Sequence, residues 1–281
     1  MAELGASAIG GPVRELADGV RMPMLGLGVW QLAEGRETEQ AVEWALEAGY
    51  RHIDTATYYR NERSVGAALR RSGIPREQVF VTTKWLPIRR NPTSEIQRSL
   101  ERLGLEYLDL YLVHWPLPGR ISRGWREFEA LQQRGLARAI GVSNFGRDRL
   151  ARLLGTVDRP PAVNQIHFSP LNFRPQILTY CAEHGIVVEA YSPLERGRAF
   201  GNPVIAEIAR RLKRTEAQVI LRWAIQHDTV VIPKSARQDR IRENAQIFDF
   251  ELSPQDMNAL DTLDRTSGNT QGHSADAPGS S

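Results

Sequence analysis

The chain has 281 residues, of which 41% are apolar and 25% charged, and its formal net charge is +3. This apolar content excludes a disordered chain, and the small, dispersed positive charge argues against a nucleic-acid partner. No apolar run reaches the ~18 residues of a membrane helix, and the N-terminus lacks the pattern of a secretion signal.

Apolar, β-branched runs alternate with helical patterns along the chain. Several, such as LDLYLV, are almost unbroken, which is typical of parallel strands covered on both faces. The predicted strands are 24–28, 52–56, 79–84, 108–114, 137–143, 162–168, 187–193 and 230–235. The predicted helices are 38–48, 63–71, 94–103, 124–134, 174–184, 202–212, 215–226, 239–247 and 253–263, the last starting with a capping box of Ser253 and Asp256.

The repeated strand–helix order predicts an α/β protein that folds as a (β/α)8 TIM barrel. An open doubly wound sheet is the competing fold, but Gly26-Leu27-Gly28 is followed by Val-Trp-Gln and not by the rest of a GxGxxG turn. An Asp-Gly turn within 14–24 predicts a β-hairpin ahead of the barrel, across its N-terminal end. We expect a flexible N-terminus over 1–12, a single barrel domain over 13–264 and a disordered tail over 265–281.

Polar and charged side chains stand where the predicted strands end. Active sites of such barrels lie at the carboxyl ends of the strands. Three neighbouring strands end at Asp54, Lys84 and His114, and Lys84 and Lys234, two of only three lysines in the chain, lie at strand ends. The other strand-end residues are Gly28, Val29, Trp30, Ser143, Asn144, Gln165, His167, Tyr191, Ser192 and Ser235.

A carboxylate, an ammonium and an imidazole in one place suit carbonyl reduction. Asp54 would keep Lys84 charged, and Lys84 would lower the pKa of a nearby tyrosine, so that the phenol can donate a proton to a carbonyl oxygen. Tyr58 and Tyr59 both follow Asp54 and compete for this role. A neutral His114 would donate a second hydrogen bond. The hydride would come from a cofactor, because no side chain supplies one, and no metal is required.

Each of these residues also has an ordinary structural explanation. Asp54 alone fits a helix cap or a loop carboxylate, and Tyr59 alone fits a packed surface tyrosine. His114 alone fits a hydrogen-bonded core histidine, and Lys84 alone fits a Schiff-base lysine or a solvated strand end. Only their combination favours a catalytic site.

Seven sequence motifs resemble those of the aldo-keto reductase family, in the same order. The segment 49–69 (GYRHIDTATYYRNERSVGAAL) is similar to the family's DTAxxYxNE signature, and the resemblance extends over about 13–263. The other matching segments are 79–85 (VFVTTKW), 108–116 (LDLYLVHWP), 137–145 (ARAIGVSNF), 163–170 (VNQIHFSP), 188–194 (VEAYSPL) and 231–253. The chain looks most like the bacterial group that includes 2,5-diketo-gluconate reductases.

The resemblance implies a role for each matching residue. It assigns proton donation to Tyr59 rather than Tyr58, with Asp54, Lys84 and His114 completing a catalytic tetrad. It implies NADPH/NADP+ as the cofactor, whose contacts would be Gly28, Val29, Trp30, Asp54, Ser143, Asn144, Gln165, Tyr191, Ser192, Leu194, Lys234, Ser235, Arg240, Glu243 and Asn244. The substrate would contact Trp30, Tyr58, His114 and Trp115.

Within that set, the resemblance gives Tyr191 the nicotinamide ring and gives Ser143, Asn144 and Gln165 its carboxamide. Lys234, Ser235 and Arg240 would bind the 2′-phosphate that distinguishes NADPH from NADH, at a helix N-terminus that suits an anion. This stretch also fits an ordinary basic helix surface, and Arg237 or Arg242 could take the same role.

The sequence thus predicts a cytoplasmic, monomeric, NADPH-dependent reductase with a broad range of small carbonyl substrates. The single cysteine, Cys181, permits no internal disulfide, which fits a reducing compartment. Two alternatives stay open: a non-catalytic NADPH-binding regulatory protein on the same scaffold, and a barrel enzyme that uses Lys84 as a Schiff base.

Overall fold

The computed structural model describes residues 11–88, 90–117 and 121–264. The predicted flexible N-terminus, apart from Gly11 and Pro12, and the predicted tail over 265–281 lie outside the described residues. Within the described ranges, no helix combines the length and the apolar character that a membrane-spanning segment needs.

Strands and helices alternate as the apolar pattern predicts. The strands are β1 Val13–Glu15, β2 Arg21–Pro23, β3 Leu27–Gly28, β4 His52–Asp54, β5 Phe80–Trp85, β6 Leu108–Val113, β7 Ala137–Ser143, β8 Val163–His167, β9 Val187–Tyr191 and β10 Val230–Ile232. The helices are α1 Arg36–Glu47, α2 Glu62–Ser72, α3 Pro92–Leu103, α4 Ile121–Gln133, α5 Arg147–Leu154, α6 Pro175–Glu183, α7 Pro203–Leu212, α8 Glu216–Gln226, α9 Gln238–Ala245 and α10 Pro254–Asp261.

Strands β3 to β10 form one parallel sheet in sequential order. A parallel bridge from Leu25 to Val231, with Gly26 N–H donating to the Val231 carbonyl at 2.8 Å, joins its two edges. Strands β5 and β6 are buried along their whole length, because barrel residues cover one face and helices the other. The prediction of a (β/α)8 barrel is confirmed.

The predicted N-terminal hairpin is present as the antiparallel pair β1 and β2. Its apolar residues Leu16, Val20 and Met22 are buried in one cluster with the first residues of β5, β8, β9 and β10. The hairpin therefore closes the amino end of the barrel and leaves the carboxyl ends of the strands for a site.

Local structure departs from the sequence prediction in several places, among them β4 and β10, which have three residues each rather than five and six. Strand β3 has two residues rather than five: Leu27 and Gly28 pair with β4, whereas the preceding residues bond to Val231 at the other edge. Helix α5 was not predicted, since its arginine-rich sequence buries only Leu150 and Leu153. The capping box of Ser253 and Asp256 at the start of α10 is confirmed.

Candidate active site

Lys84 lies at the centre of a buried cluster at the carboxyl ends of β4 and β5. Its Nζ donates to Asp54 Oδ1 at 2.6 Å, to the Thr55 carbonyl at 2.9 Å and to the Tyr59 hydroxyl at 3.1 Å. Lys84 is fully buried and Asp54 is only 2% exposed. The three N–H groups of the ammonium are thus all used, and they fix the carboxylate and the phenol on either side of it.

A short 3-10 helix over Thr57–Tyr59 brings the phenol of Tyr59 to this cluster. The Thr57 hydroxyl donates to the Lys84 carbonyl at 3.0 Å and ties that helix to β5. Tyr58, the adjacent candidate, is 46% exposed. Because the ammonium already has three acceptors, the geometry favours Tyr59 over Tyr58 as its phenol partner.

The charges in the cluster follow from burial and from the ion pair. Burial alone would lower the pKa of Lys84, but Asp54 and Tyr59 raise it above its ordinary value. Burial raises the pKa of Tyr59, and the lowering by Lys84 only partly offsets this. The expectation that Lys84 brings the pKa of Tyr59 below its ordinary value is therefore wrong for the protein without cofactor, because the half-buried phenol keeps its proton.

His114 follows β6 and completes the tetrad. Its ring meets the Tyr59 ring edge to face, with centroids 5.7 Å apart. Burial and, second, the charge of Lys84 lower the pKa of His114 well below its ordinary value. The imidazole is therefore neutral and has one N–H to donate, as predicted.

A cavity of about 260 Å³ opens beside Tyr59. It is lined by Trp30, Gln31, Tyr58, Tyr59 and Arg60. Two of the predicted substrate residues, Trp30 and Tyr58, thus form its walls, while Trp115 stacks on His114 with centroids 6.2 Å apart.

Asn61 fixes the loop that follows β3. The sequence comparison matched it to the DTAxxYxNE motif but assigned it no role. Its Nδ2 donates to the carbonyls of Val29 (2.9 Å) and Leu32 (3.2 Å), and its Oδ1 accepts from the Thr55 hydroxyl at 2.8 Å. These bonds fix the loop that carries Trp30 beside the tetrad.

The residues predicted to hold the nicotinamide end meet next to the tetrad. Asn144, in a left-handed conformation (φ +65°), donates to the His114 carbonyl at 3.1 Å and accepts from the Tyr191 hydroxyl at 2.8 Å. Its Nδ2 also donates to Ser143 Oγ at 3.0 Å, and Gln165 Nε2 donates to Asp54 Oδ2 at 2.8 Å. Burial raises the pKa of Tyr191 to about 12, so its ring presents a neutral face.

The first strand lies beside these residues. Val29 N–H donates to the Asp54 carbonyl at 3.0 Å, and a Cβ at Gly28 would lie 2.8 Å from the Ile232 carbonyl oxygen. Only glycine fits at that position, because the backbones of β3 and the segment after β10 approach so closely. On the next strand end, Ser192 has a positive φ of 49° and Leu194 is half-buried.

The predicted phosphate-binding residues lie where the chain passes from β10 into α9. Lys234 and Arg240 are exposed, and neither forms an ion pair with another described residue. Arg237 is already paired with Asp239 at 2.5 Å, so Arg240 is the better candidate. Of the remaining predicted contacts, Ser235 and Asn244 are buried, and Glu243 is half-buried and accepts from the Thr215 hydroxyl at 2.7 Å.

The buried carboxylate of Glu195, next to Tyr191 in the fold, is the centre of a hydrogen-bonded cluster that sequence reasoning did not identify. Its Oε1 accepts from the Ser169 hydroxyl at 2.6 Å and lies 2.6 Å from His167 Nε2, and its Oε2 accepts from Arg198 at 2.6 Å. Burial opposes its charge, but these partners, His167 and Ser169 first, lower the pKa of Glu195 to about 2. The His167 ring stacks on Tyr191, so the cluster supports the face of that tyrosine.

Glu195→Gln should lower the stability of the protein at neutral pH. A carboxyl whose pKa is depressed in the folded state stabilises above its ordinary value of 4.5, and this stabilisation is lost as the pH falls toward about 2. Thermal unfolding should therefore show a lower midpoint for E195Q at neutral pH and a shrinking difference in acid. The control E207Q, which removes an exposed pair with Arg210, should change little, and an equal loss in both variants would contradict the prediction.

The structure is thus a parallel (β/α)8 barrel in which Asp54, Lys84 and His114 lie together at the carboxyl ends of adjacent strands, with Tyr59 beside them on the 3-10 helix. A family model described as "Aldo/keto reductase family" matches residues 24–265. The chain belongs to the aldo-keto reductase family, and the family predicted from its motifs is confirmed.

Curated relatives align over almost the whole chain. The chain is 46% identical to a 9,11-endoperoxide prostaglandin H2 reductase of Trypanosoma cruzi (strain CL Brener), over 88% of this chain and 90% of the relative. It is 45% identical to a glyoxal reductase of Bacillus subtilis (strain 168), over 89% and 92% of the two chains. It is 44% identical to the methylglyoxal reductase DkgA of Yersinia pestis, over 90% and 93%.

Solved structures share the fold. A crystal structure of an aldo/keto reductase from Brucella melitensis has a TM-score of 0.87 and 41% identity, and the match covers 92% of this chain and all of that one. An aldo-keto reductase from Bombyx mori in complex with NADP has a TM-score of 0.85 and 34% identity, covering 92% and 94%.

Proposed function

We propose that this protein reduces small aldehydes and ketones to alcohols with NADPH, with Tyr59 as the proton donor. The observation that carries the proposal is the position of Lys84 Nζ, which donates to both Asp54 and the hydroxyl of Tyr59, a residue that lines the cavity. The glyoxal and methylglyoxal reductases among its relatives support small carbonyl compounds as the substrate class.

The residues beside the tetrad fit a nicotinamide cofactor. Tyr191 offers a neutral ring supported by His167 on its other face, and Ser143, Asn144 and Gln165 offer amide and hydroxyl groups around it. Lys234 and Arg240 are exposed cations that pair with no residue in the described part of the chain, and they could bind a phosphate. The cofactor, when bound, would supply the hydride.

The chain's own residues supply the proton and orient the carbonyl. The half-buried phenol of Tyr59, with its raised pKa, carries its proton until a substrate oxygen that can accept it binds. As negative charge develops on the substrate oxygen, Lys84 stabilises the phenolate that Tyr59 becomes, and Asp54 keeps the ammonium charged and in place. The neutral imidazole of His114 donates its N–H to the same substrate oxygen.

Loss of NADPH absorbance in the presence of a carbonyl panel tests this function. The panel contains glyoxal, methylglyoxal, simple aldehydes and ketones, and keto-sugars. We expect turnover of the small dicarbonyls with NADPH. Quenching of tryptophan fluorescence by NADPH with no turnover on any compound would instead support the non-catalytic regulatory protein.

Arg240→Ala should weaken binding of NADPH far more than binding of NADH. A hydrogen bond to a charged group contributes roughly 1.5–3 kcal/mol, so the loss for NADPH should be about 10- to 100-fold. Fluorescence titration with both cofactors measures it. The matched control is R237A, because Arg237 is already neutralised by Asp239. Equal losses for NADPH and NADH in R240A would refute the phosphate assignment.

A further inference from the structure

Glu189 is a buried carboxyl in the barrel interior that the proposed mechanism leaves unused. It lies in the middle of β9, is 0% exposed and is opposite Gln165 in the register of β8 and β9. Its Oε2 accepts from Gln165 Nε2 at 2.7 Å, and its Oε1 lies 3.5 Å from His52 Nε2. Burying a carboxyl at such a position costs folding free energy unless hydrogen bonds to its neighbours compensate for the lost hydration.

The amide of Gln165 is held between two carboxyl groups. Its Nε2 donates to Glu189 Oε2 at 2.7 Å and to Asp54 Oδ2 at 2.8 Å. Both neighbours are acceptors, so they define which end of the amide is nitrogen and use both of its N–H groups. The carbonyl oxygen of Gln165 is the atom left to accept from a ligand.

We propose that Glu189 is a positioning residue, which together with Asp54 orients Gln165 so that its carbonyl oxygen accepts from the carboxamide of the nicotinamide cofactor. This inference rests on the proposed function, because it requires the cofactor to bind at Ser143, Asn144 and Gln165. Asp54 thus has two roles: one oxygen holds Lys84 and the other holds Gln165.

We assign the proton of this carboxyl pair to Glu189. Burial raises the pKa of both carboxyls, but only Asp54 has an ammonium, that of Lys84 at 2.6 Å, to oppose the shift. Burial and, second, the charge of Asp54 raise the pKa of Glu189 to about 8. The other groups that face it do not titrate there: burial lowers the pKa of His52 to about 3, and the pKa values of Lys84 and Tyr59 lie above their ordinary values of 10.5 and 10.0.

The charge of Glu189 then affects the two cofactor forms differently. Nicotinamide is neutral when reduced and positive when oxidised, so an ionised Glu189 next to Gln165 attracts the oxidised form more strongly. The ratio of the dissociation constants for NADPH and NADP+ should therefore rise as the pH passes about 8. A carboxyl with a merely structural role would move both constants together.

Three variants test the proposal by fluorescence titration of NADPH and NADP+ across a pH series. E189L removes the acceptor and should weaken NADPH about 3- to 10-fold, the equivalent of one hydrogen bond. E189Q keeps an acceptor oxygen but cannot ionise, so it should bind NADPH normally while its NADPH/NADP+ ratio stays flat with pH. The control E129Q alters a buried carboxylate that accepts from the backbone of Asp158 and Arg159, away from the site, and should behave as wild type.

The protein without cofactor gives an independent readout. The folded protein holds the Glu189 proton that the unfolded chain releases at 4.5, so wild-type stability relative to E189Q should fall as the pH rises from 4.5 to about 8. Should E189L not fold, E189Q decides the matter. A wild-type pH profile in E189Q, or wild-type NADPH affinity in a folded E189L, would overturn the proposal. Wild-type protein that binds neither cofactor would instead refute the proposed function.

Discussion

Tyr59→Phe should lower kcat by about 10²- to 10⁴-fold, the usual contribution of a general acid, while the dissociation constant for NADPH stays close to wild type. The change removes one oxygen, which accepts from Lys84 Nζ at 3.1 Å, and leaves the ring that meets His114 edge to face. The cavity keeps its shape, so the loss falls on proton donation and not on binding.

Single-turnover measurements of NADPH oxidation with a dicarbonyl substrate separate these effects. Tyr107→Phe is the matched control, because Tyr107 lies against Arg76 on the outside of the barrel. Tyr58→Phe distinguishes the two adjacent tyrosines. A large loss of kcat in Y58F with normal turnover in Y59F would show that the neighbouring phenol donates the proton.

The barrel was predictable because its strands are buried on both faces. A run such as β6, LDLYLV, is almost entirely apolar, which is the pattern of a strand covered on both faces. Its one charged residue, Asp109, forms ion pairs with Arg76 and Arg138. The short β3 was not predictable, because its length depends on where pairing with β4 gives way to bonding with Val231 at the edge where the barrel closes. Helix α5 was not predicted, because only two leucines form its apolar face and the sequence pattern is too weak to indicate a helix.

The tetrad was predictable for a related reason. Asp54, Lys84 and His114 lie at or next to the carboxyl ends of three adjacent strands, and adjacent parallel strands place their ends together. The direction of the Tyr59 pKa shift was not predictable, because the sequence shows a nearby lysine but not how much the fold shields the phenol from water.

The partners of the buried carboxyls were equally hidden in the sequence. The hydrogen bond between Ser169 and Glu195 and that between Gln165 and Glu189 form only when β8 and β9 pair. A charged residue inside an otherwise apolar strand, as in VVEAY, is the one available signal for Glu189.

Lys84→Met should abolish most activity and also destabilise the protein by about 3–5 kcal/mol, because it leaves Asp54 buried without its cation.

The loss of stability should depend on pH. Burial already raises the pKa of Asp54, and the loss of Lys84 raises it further. A carboxyl with a raised folded-state pKa destabilises the fold as the pH rises above its unfolded value of 3.8. In the wild type, the pKa of Lys84 is raised in the folded state, so the ion pair contributes its full stabilisation up to the unfolded-state lysine pKa of 10.5. The stability gap between K84M and wild type should therefore be widest between these two values and narrow in acid.

Chemical denaturation across that pH range measures the gap, and Lys213→Met, at an exposed helix end, is the control for losing a lysine. The double variant D54N/K84M separates structure from chemistry. Removing both charges should restore much of the stability, because no unpaired carboxylate remains in the interior. Its turnover should stay as low as that of K84M, since the phenol of Tyr59 still lacks the cation that stabilises it once its proton has left. Recovery of turnover together with stability would mean that Lys84 serves only to neutralise Asp54.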